Sequence, residues 1–141
     1  SGQLSLVKDF LGYNYFITGK VTHGDGIGKT LGFPTANISL SNNDKIIPKF
    51  GVYAVKANID NKLFDGIMNI GTRPTLNNIT NELRLEVHLF NFNESIYGKH
   101  IQVDLIDTIR DEIKFNDIET LKRQIAIDCE KAKKILQKNQ V

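Results

Sequence analysis

The stretch FGVYAVKANIDNKLFDGIMNIG, residues 50–71, contains two runs rich in β-branched and aromatic residues with a short polar break between them. The break contains Asp60 and Asn61, and these two residue types tolerate the left-handed backbone conformation that a tight hairpin turn requires. The stretch therefore predicts two antiparallel strands joined by a hairpin.

The same pattern continues on both sides of this stretch. Residues 15–21, 83–92 and 99–109 are further short runs of β-forming residues, and polar turn-forming residues separate them. No helical pattern lies between the runs, so the crossovers that a parallel sheet needs are not expected. Strands at this spacing predict an antiparallel barrel or sandwich.

Residues 116–138 have the pattern of one amphipathic helix, in which Asn116 or Asp117 can form the N-terminal cap. Cys129 lies on the apolar stripe, and we predict a core residue there rather than a reactive thiol. The apolar residues recur at steps of three and four: Ile118, Leu121, Ile125, Cys129, Ala132 and Leu136.

Composition restricts the class of protein. The chain has 141 residues, 40% of them hydrophobic and 24% charged, as expected for one globular domain rather than a disordered or collagen-like chain. No apolar run approaches the roughly 20 residues that cross a bilayer, so no membrane partner is predicted. The net charge of +2 gives no electrostatic argument for nucleic acid. A single cysteine excludes an internal disulfide and suggests the reducing cytoplasm.

A glycine-rich segment, HGDGIGKT at residues 23–30, approaches the Walker A pattern without matching it. The first glycine of that motif is replaced by His23, and the following LGFPTANI contains Pro34, which opposes the helix that a P-loop must open. Two interpretations stay open, a flexible loop and a loop whose backbone approaches an anion closely.

Thr35 and Asn37 follow this loop at a spacing of two residues. On an extended chain their side chains share one face and offer a hydroxyl and an amide oxygen to a hard cation. The alternative is an ordinary turn that contains Thr and Asn.

Five blocks in order carry a family resemblance. The first block is specific, because it combines a glycine-rich loop and a basic residue with LGFPTAN directly after them. With all five blocks in this order, the chain resembles the riboflavin kinase (flavokinase) family. Within that family it resembles the kinase module of the bacterial bifunctional riboflavin kinase/FAD synthetase. The blocks are GDGIGKTLGFPTANI at 24–38, NIGTRPT at 69–75, LEVHLFNF at 85–92, YGKHI at 97–101 and IRDEIKF at 109–115.

The resemblance implies a fold and an activity. We predict a mainly β protein, a six-stranded antiparallel Greek-key barrel with the C-terminal helix packed against it. The implied reaction is ATP-dependent phosphorylation of the ribityl 5′-hydroxyl of riboflavin, giving FMN and ADP. The implied metal is Mg²⁺, with Mn²⁺ or Zn²⁺ as alternatives. Residues 14–141 would form the kinase domain and residues 1–13 a linker or N-terminal arm, preceded in a longer protein by an FMN adenylyltransferase domain.

Alternation along residues 83–90 predicts that the leucines and Val87 fill the barrel and that Glu86 points away from it. The residues alone favour a solvent-exposed glutamate paired with Arg84 or a lysine. The resemblance instead implies that Glu86 is the general base that acts on the ribityl hydroxyl.

The resemblance also implies the remaining site residues. Tyr97 is open to a second interpretation, because an aromatic residue before a glycine can simply be part of a turn. The implied ATP contacts are Gly24, Lys29, Thr35, Leu89, Asn91 and Tyr97, the metal ligands are Thr35 and Asn37, and the flavin contacts are Arg110, Ile113 and Phe115.

A hypothesis of another class is a non-catalytic barrel module that binds a flavin or a nucleotide. Such a module has no use for a metal-binding PTAN block or for a general base. Phosphate transfer that depends on the metal separates the two hypotheses.

Overall fold

The computed structural model describes residues 15–22, 35–40, 48–74, 81–92 and 95–138. In this part of the chain six antiparallel strands close into a barrel with the spatial order β1-β2-β5-β4-β3-β6, and one helix follows. The elements are β1 (Phe16–Thr22), β2 (Ala36–Leu40), β3 (Gly51–Ile59), β4 (Lys62–Pro74), β5 (Asn81–Leu89), β6 (His100–Asp111) and α1 (Ile118–Lys138).

The connectivity confirms the predicted Greek-key barrel and excludes the sandwich. β3, β4 and β5 are consecutive antiparallel neighbours, and β6 returns to pair with β3. This gives the local order β6-β3-β4-β5, which defines a Greek key. β2, which joins β1 to β5, contains Asn37, where the sequence left an extended chain and an ordinary turn open; the structure has the extended chain.

The predicted hairpin joins β3 to β4. Ile59 pairs with Lys62, and the two turn residues between them, Asp60 and Asn61, have φ angles of 52° and 66°. Both values lie in the left-handed region that a two-residue type I′ turn requires at its central positions. The Asp-Asn pair therefore fixes the register between β3 and β4.

The barrel interior is filled by alternate side chains from all six strands. From β5, Leu85, Val87 and Leu89 face inward as predicted, whereas Leu83 is 38% exposed. A barrel of so few strands has an interior just wide enough for side chains. Any ligand must therefore bind on the outside of the barrel or at its ends.

Helix α1 packs on the outside of the barrel, over β3, β4 and β6. Its buried residues contact outward-facing apolar residues of those strands, and Cys129 is a buried core residue as predicted. Asp117 caps the helix, because its Oδ1 accepts a hydrogen bond from the Thr120 N–H at 2.8 Å. The second of the two predicted caps is thus the correct one, and the helix begins at Ile118.

Burial of the Cys129 thiol raises its pKa to about 11. The thiol is therefore neutral at physiological pH, as expected for a packing residue.

Candidate active site

Three polar side chains form a row across neighbouring strands on the outside of the barrel, and we call Asn37, Glu86 and Asn69 the polar row. Asn37 of β2 and Asn69 of β4 are both register partners of Glu86 in β5. Each lies between residues that face the interior, so all three point outward. Three sequence-distant segments thus bring amide and carboxylate groups to one place.

Glu86 is largely buried at this surface. Its side chain is 12% exposed, and its Oε1 contacts Nε of Arg84, the preceding outward residue of β5. The Arg84 pairing that the residues alone favoured is therefore present, but the glutamate is not solvent-exposed as that alternative required. A carboxylate that is oriented by a guanidinium and open on one side can receive a proton from a substrate hydroxyl.

The candidate metal ligands flank this carboxylate. Thr35 precedes β2, and Asn37 lies two residues further along, directly beside Glu86. The Thr22 hydroxyl donates to the backbone carbonyl of Asn37 at 3.4 Å and ties the start of β2 to the end of β1. Hydroxyl and amide oxygens beside a carboxylate form the hard-oxygen donor set that Mg²⁺ prefers. The residues fit the predicted cation.

Among the described residues, no cluster of three or more His, Cys, Asp or Glu side chains is arranged to hold a metal ion. A magnesium ion that binds between a protein and nucleotide phosphates needs only one or two protein oxygens. The candidate site is of this kind.

The predicted ATP contacts that can be located lie toward one end of the barrel, the end with the Asp60-Asn61 turn, which we call the hairpin end. Leu89 pairs with Gly66 near the start of β4, and its side chain faces the interior, so only its backbone is available to a ligand. Asn91 follows on the surface with a φ of 56°. Gly24 and Lys29 lie outside the described residues.

Tyr97 is 49% exposed and forms a turn with Gly98, as the second interpretation proposed. The Gly98 N–H donates to the Val21 carbonyl at 2.9 Å, and the Val21 N–H donates to the Lys99 carbonyl at 2.9 Å. These bonds place the Tyr97 turn beside the end of β1, where the chain enters the glycine-rich segment. Its predicted contact with ATP stays a prediction.

The predicted flavin contacts lie at the opposite end of the barrel, where β6 leads into α1, which we call the helix-entry end. Ile113 is 50% exposed there, and the Phe115 ring lies 5.6 Å from the Arg110 guanidinium carbon. Arg110 itself is directed toward the helix, where it pairs with Asp128. Its predicted contact with phosphate or ribityl oxygens stays a prediction. That contact would use the guanidinium N–H groups that are not bonded to Asp128.

Glu112, also at the helix-entry end, reaches back over β4. A Cβ built on Gly71 would lie 2.3 Å from Glu112 Oε1, so the glycine leaves the space that this side chain occupies. Gly71 is the register partner of Arg84. The segment after β6 therefore lies close to the polar row.

Sequence reasoning did not single out Asn69, Glu112 or Asp128 for the site. Asn69 and Glu112 take their positions from strand register and chain direction, for which the sequence has no local signal. Asp128 did have a signal, because it is an acidic residue beside the apolar stripe that contains Ile125 and Cys129.

Comparisons with known proteins identify the family of the chain. The family model described as Flavokinase: Riboflavin kinase matches residues 11–136. The chain belongs to this family, and the resemblance identified from its motifs is confirmed.

A bifunctional riboflavin kinase/FMN adenylyltransferase of Bacillus subtilis is 45% identical over 133 residues, which are 94% of this chain and 42% of that protein. The chain thus spans about two-fifths of the length of this curated relative. The riboflavin kinase structure from Trypanosoma brucei has a TM-score of 0.62 at 25% identity and covers 87% of this chain and 77% of its own.

A Streptococcus pneumoniae structure described as a macrolide-efflux protein has a TM-score of 0.82 at 34% identity, over 91% of this chain and 41% of its own. That likeness bears on the fold. In the described part of the chain, no helix is both long enough and apolar enough to span a membrane.

Proposed function

We propose that this chain transfers the γ-phosphoryl group of ATP to the ribityl 5′-hydroxyl of riboflavin, giving FMN and ADP. The observation that carries the proposal is the polar row, in which Glu86 lies between Asn37 and Asn69 on the outside of a flavokinase-family barrel.

The geometry supports a division of the substrates between the two ends of the barrel. The predicted ATP contacts among the described residues lie toward the hairpin end, and the predicted flavin contacts lie at the helix-entry end. Glu86 lies on β5 between these two ends. A phosphoryl group that passes from one substrate to the other would cross the surface at the polar row. Positioning of the two reactants is the larger part of catalysis in phosphoryl transfer.

The bond changes are simple. The bond from the γ-phosphorus to the bridging oxygen breaks, ADP leaves with that electron pair, and a new bond joins phosphorus to the ribityl oxygen. Glu86 accepts the proton that this hydroxyl loses. Arg84 orients the Glu86 carboxylate for the transfer through its contact with Oε1.

Thr35 and Asn37 would hold the divalent cation. When bound, the cation supplies charge neutralisation on the phosphate oxygens. Mg²⁺ is the metal we propose, and Mn²⁺ and Zn²⁺ are the alternatives to compare in the assay.

The activity assay measures FMN from riboflavin and ATP by chromatography, with and without Mg²⁺. We expect FMN and ADP in equal amounts, and no product after removal of the metal. Binding of riboflavin without any FMN, unchanged by ATP or metal, would instead support the non-catalytic binding module and overturn the proposal.

We further propose that a longer form of this protein carries an FMN adenylyltransferase domain before the kinase module. The support is that the B. subtilis relative is bifunctional and matches this chain over 42% of its length. The cytoplasm is the compartment we propose, since the single cysteine is a free, buried thiol.

A further inference from the structure

A buried carboxylate on α1 has no part in the reaction described above. Asp128 is 1% exposed, and it is the one charged residue among the described side chains that is classed with the buried core. Its Oδ1 and Oδ2 each lie 3.0 Å from Nε of Arg110, and Oδ2 is also 2.9 Å from Nη2. Gln124 donates to Oδ1 at 2.9 Å. Both carboxylate oxygens of Asp128 are therefore fully engaged.

Stability alone does not account for such a pair. Removing two charges from water costs several kcal/mol per ion, and well-packed apolar residues of similar volume are often as stabilising or more so. A forked contact between a guanidinium and a carboxylate does fix geometry, because it defines the plane and direction of the arginine side chain. The Asp128–Arg110 pair joins α1 to the C-terminal end of β6 in one defined orientation.

From Arg110 the contacts continue into the segment after β6. Nη1 of Arg110 donates to the Asp111 carbonyl at 3.2 Å, and the guanidinium carbon lies 5.6 Å from the Phe115 ring centre. Lys49 pairs with the Asp111 carboxylate at 2.9 Å from the far side, but both side chains are largely exposed, so this bond is weak. Arg110 therefore connects the buried Asp128 carboxylate to Asp111 and Phe115, at the two ends of the segment.

We propose that Asp128 is a positioning residue, which holds Arg110 and through it keeps residues 111–115 in the conformation that receives the flavin. This inference rests on the proposed function, because it assumes that this segment contacts riboflavin. A preordered segment loses less conformational freedom when the ligand binds, so riboflavin affinity is higher.

The first test is Asp128→Asn, with Asp104→Asn as the matched control, since Asp104 lies on the outside of β6 and its carboxylate accepts a hydrogen bond from Gln102. Riboflavin dissociation constants come from quenching of flavin fluorescence, and the KM for ATP comes from the FMN assay. We expect Asp128→Asn to weaken riboflavin binding roughly tenfold, because the segment must then be ordered when the ligand binds, with the KM for ATP unchanged. A normal riboflavin dissociation constant, or an equal rise in the KM for ATP, would overturn the proposal.

A double-mutant cycle keeps the proposal testable if Asp128→Asn fails to fold. Asp128→Leu combined with Arg110→Met replaces the ion pair by apolar side chains, and such replacements generally keep or raise stability. We expect this protein to fold and to bind riboflavin as weakly as Arg110→Met alone, because Asp128 acts through Arg110. A further loss from the Asp128 change in the Arg110→Met background, or normal affinity in the folded double variant, would overturn the proposal.

The wild-type protein in the same assays separates this inference from the proposed function. Absence of FMN from the wild-type reaction would overturn both the proposed function and the positioning role of Asp128. FMN formation by the wild type together with normal riboflavin binding by Asp128→Asn would overturn the positioning role and leave the proposed function standing.

Discussion

The outside of the barrel has two contrasting faces that neighbouring strands build by the same alternation. Under α1, the outward residues are apolar and fully covered, as with Val52, Ala54 and Ile67. Across β2, β5 and the middle of β4, the outward residues form the polar row and carry the Arg84–Glu86 contact.

The difference shows how the fold separates packing from chemistry. A covered apolar position contributes to stability in proportion to the surface that it removes from water. A partly buried polar side chain gains little stability from burial, and it lowers stability if its polar atoms have no hydrogen-bond partner. Variants on the two faces should therefore change different measured quantities, and the predictions below follow that contrast from the largest effect to the smallest.

The largest effect is expected for Glu86→Gln. Glutamine is nearly isosteric and keeps a hydrogen-bonding oxygen, but it cannot accept a proton at neutral pH. Turnover should fall by roughly 10²–10⁴-fold, while the dissociation constants for ATP and riboflavin change little. Steady-state FMN formation and both binding constants on one preparation measure this.

The matched control is Glu130→Gln, which makes the same chemical change at an exposed position of α1. Its turnover should equal that of the wild type. Near-normal turnover in Glu86→Gln would show that Glu86 is not the general base.

On the covered face, Leu136→Ala should lower the free energy of unfolding by about 2–5 kcal/mol, because Leu136 is fully buried between α1 and the barrel. The KM values of the folded protein should stay unchanged. Chemical denaturation measures the loss, and Ile127→Ala, at an exposed position of the same helix, should cost far less. A large rise in a KM without loss of stability would contradict the assignment of this face to packing.

Asn37→Ala should weaken metal-dependent use of ATP by roughly 10- to 100-fold, the range for losing one bond to a charged group, and leave riboflavin binding nearly unchanged. FMN formation across a Mg²⁺ titration measures this, and Thr35→Ala should act in the same direction. Equal loss of ATP use and flavin binding together with lower stability would indicate a structural turn.

The smallest effect concerns pH and Cys129. Burial raises the pKa of the Cys129 thiol in the folded protein from its ordinary value of 9.0 to about 11. Between these two values the unfolded chain has lost the proton and the folded chain has not, so stability falls as pH rises. Thermal unfolding of the wild type should decline more steeply over this range than that of Cys129→Ala. Identical slopes would contradict the burial effect.

Local signals in the sequence predicted much of the fold. The Asp60-Asn61 turn and the alternation of β5 depend on neighbouring residues, and the structure agrees with both except at Leu83, which is exposed. The sequence left the helix cap open between Asn116 and Asp117, and the structure selects Asp117. β2 lacked a comparable signal. It has five residues, and its place in the barrel depends on pairing with two strands that are distant in the sequence.

The candidate site divides in the same way. The outward direction of Glu86 follows from alternation within one strand, so the sequence predicted it. Asn69 lies beside Glu86 because of the register between β4 and β5, and Asp128 reaches Arg110 because α1 docks on the barrel. Neither contact has a pattern within one segment of the chain.

The most direct test of the central claim, that the polar row is where the substrates meet, is a map of backbone amide chemical shifts by nuclear magnetic resonance. The protein is titrated first with Mg²⁺–ADP and then with riboflavin. We predict that the largest changes with Mg²⁺–ADP are at Asn37 and its strand neighbours, that riboflavin shifts residues 110–115, and that both ligands shift Glu86. The contradicting result would be unchanged amide shifts at Asn37, Asn69 and Glu86 when both ligands are bound.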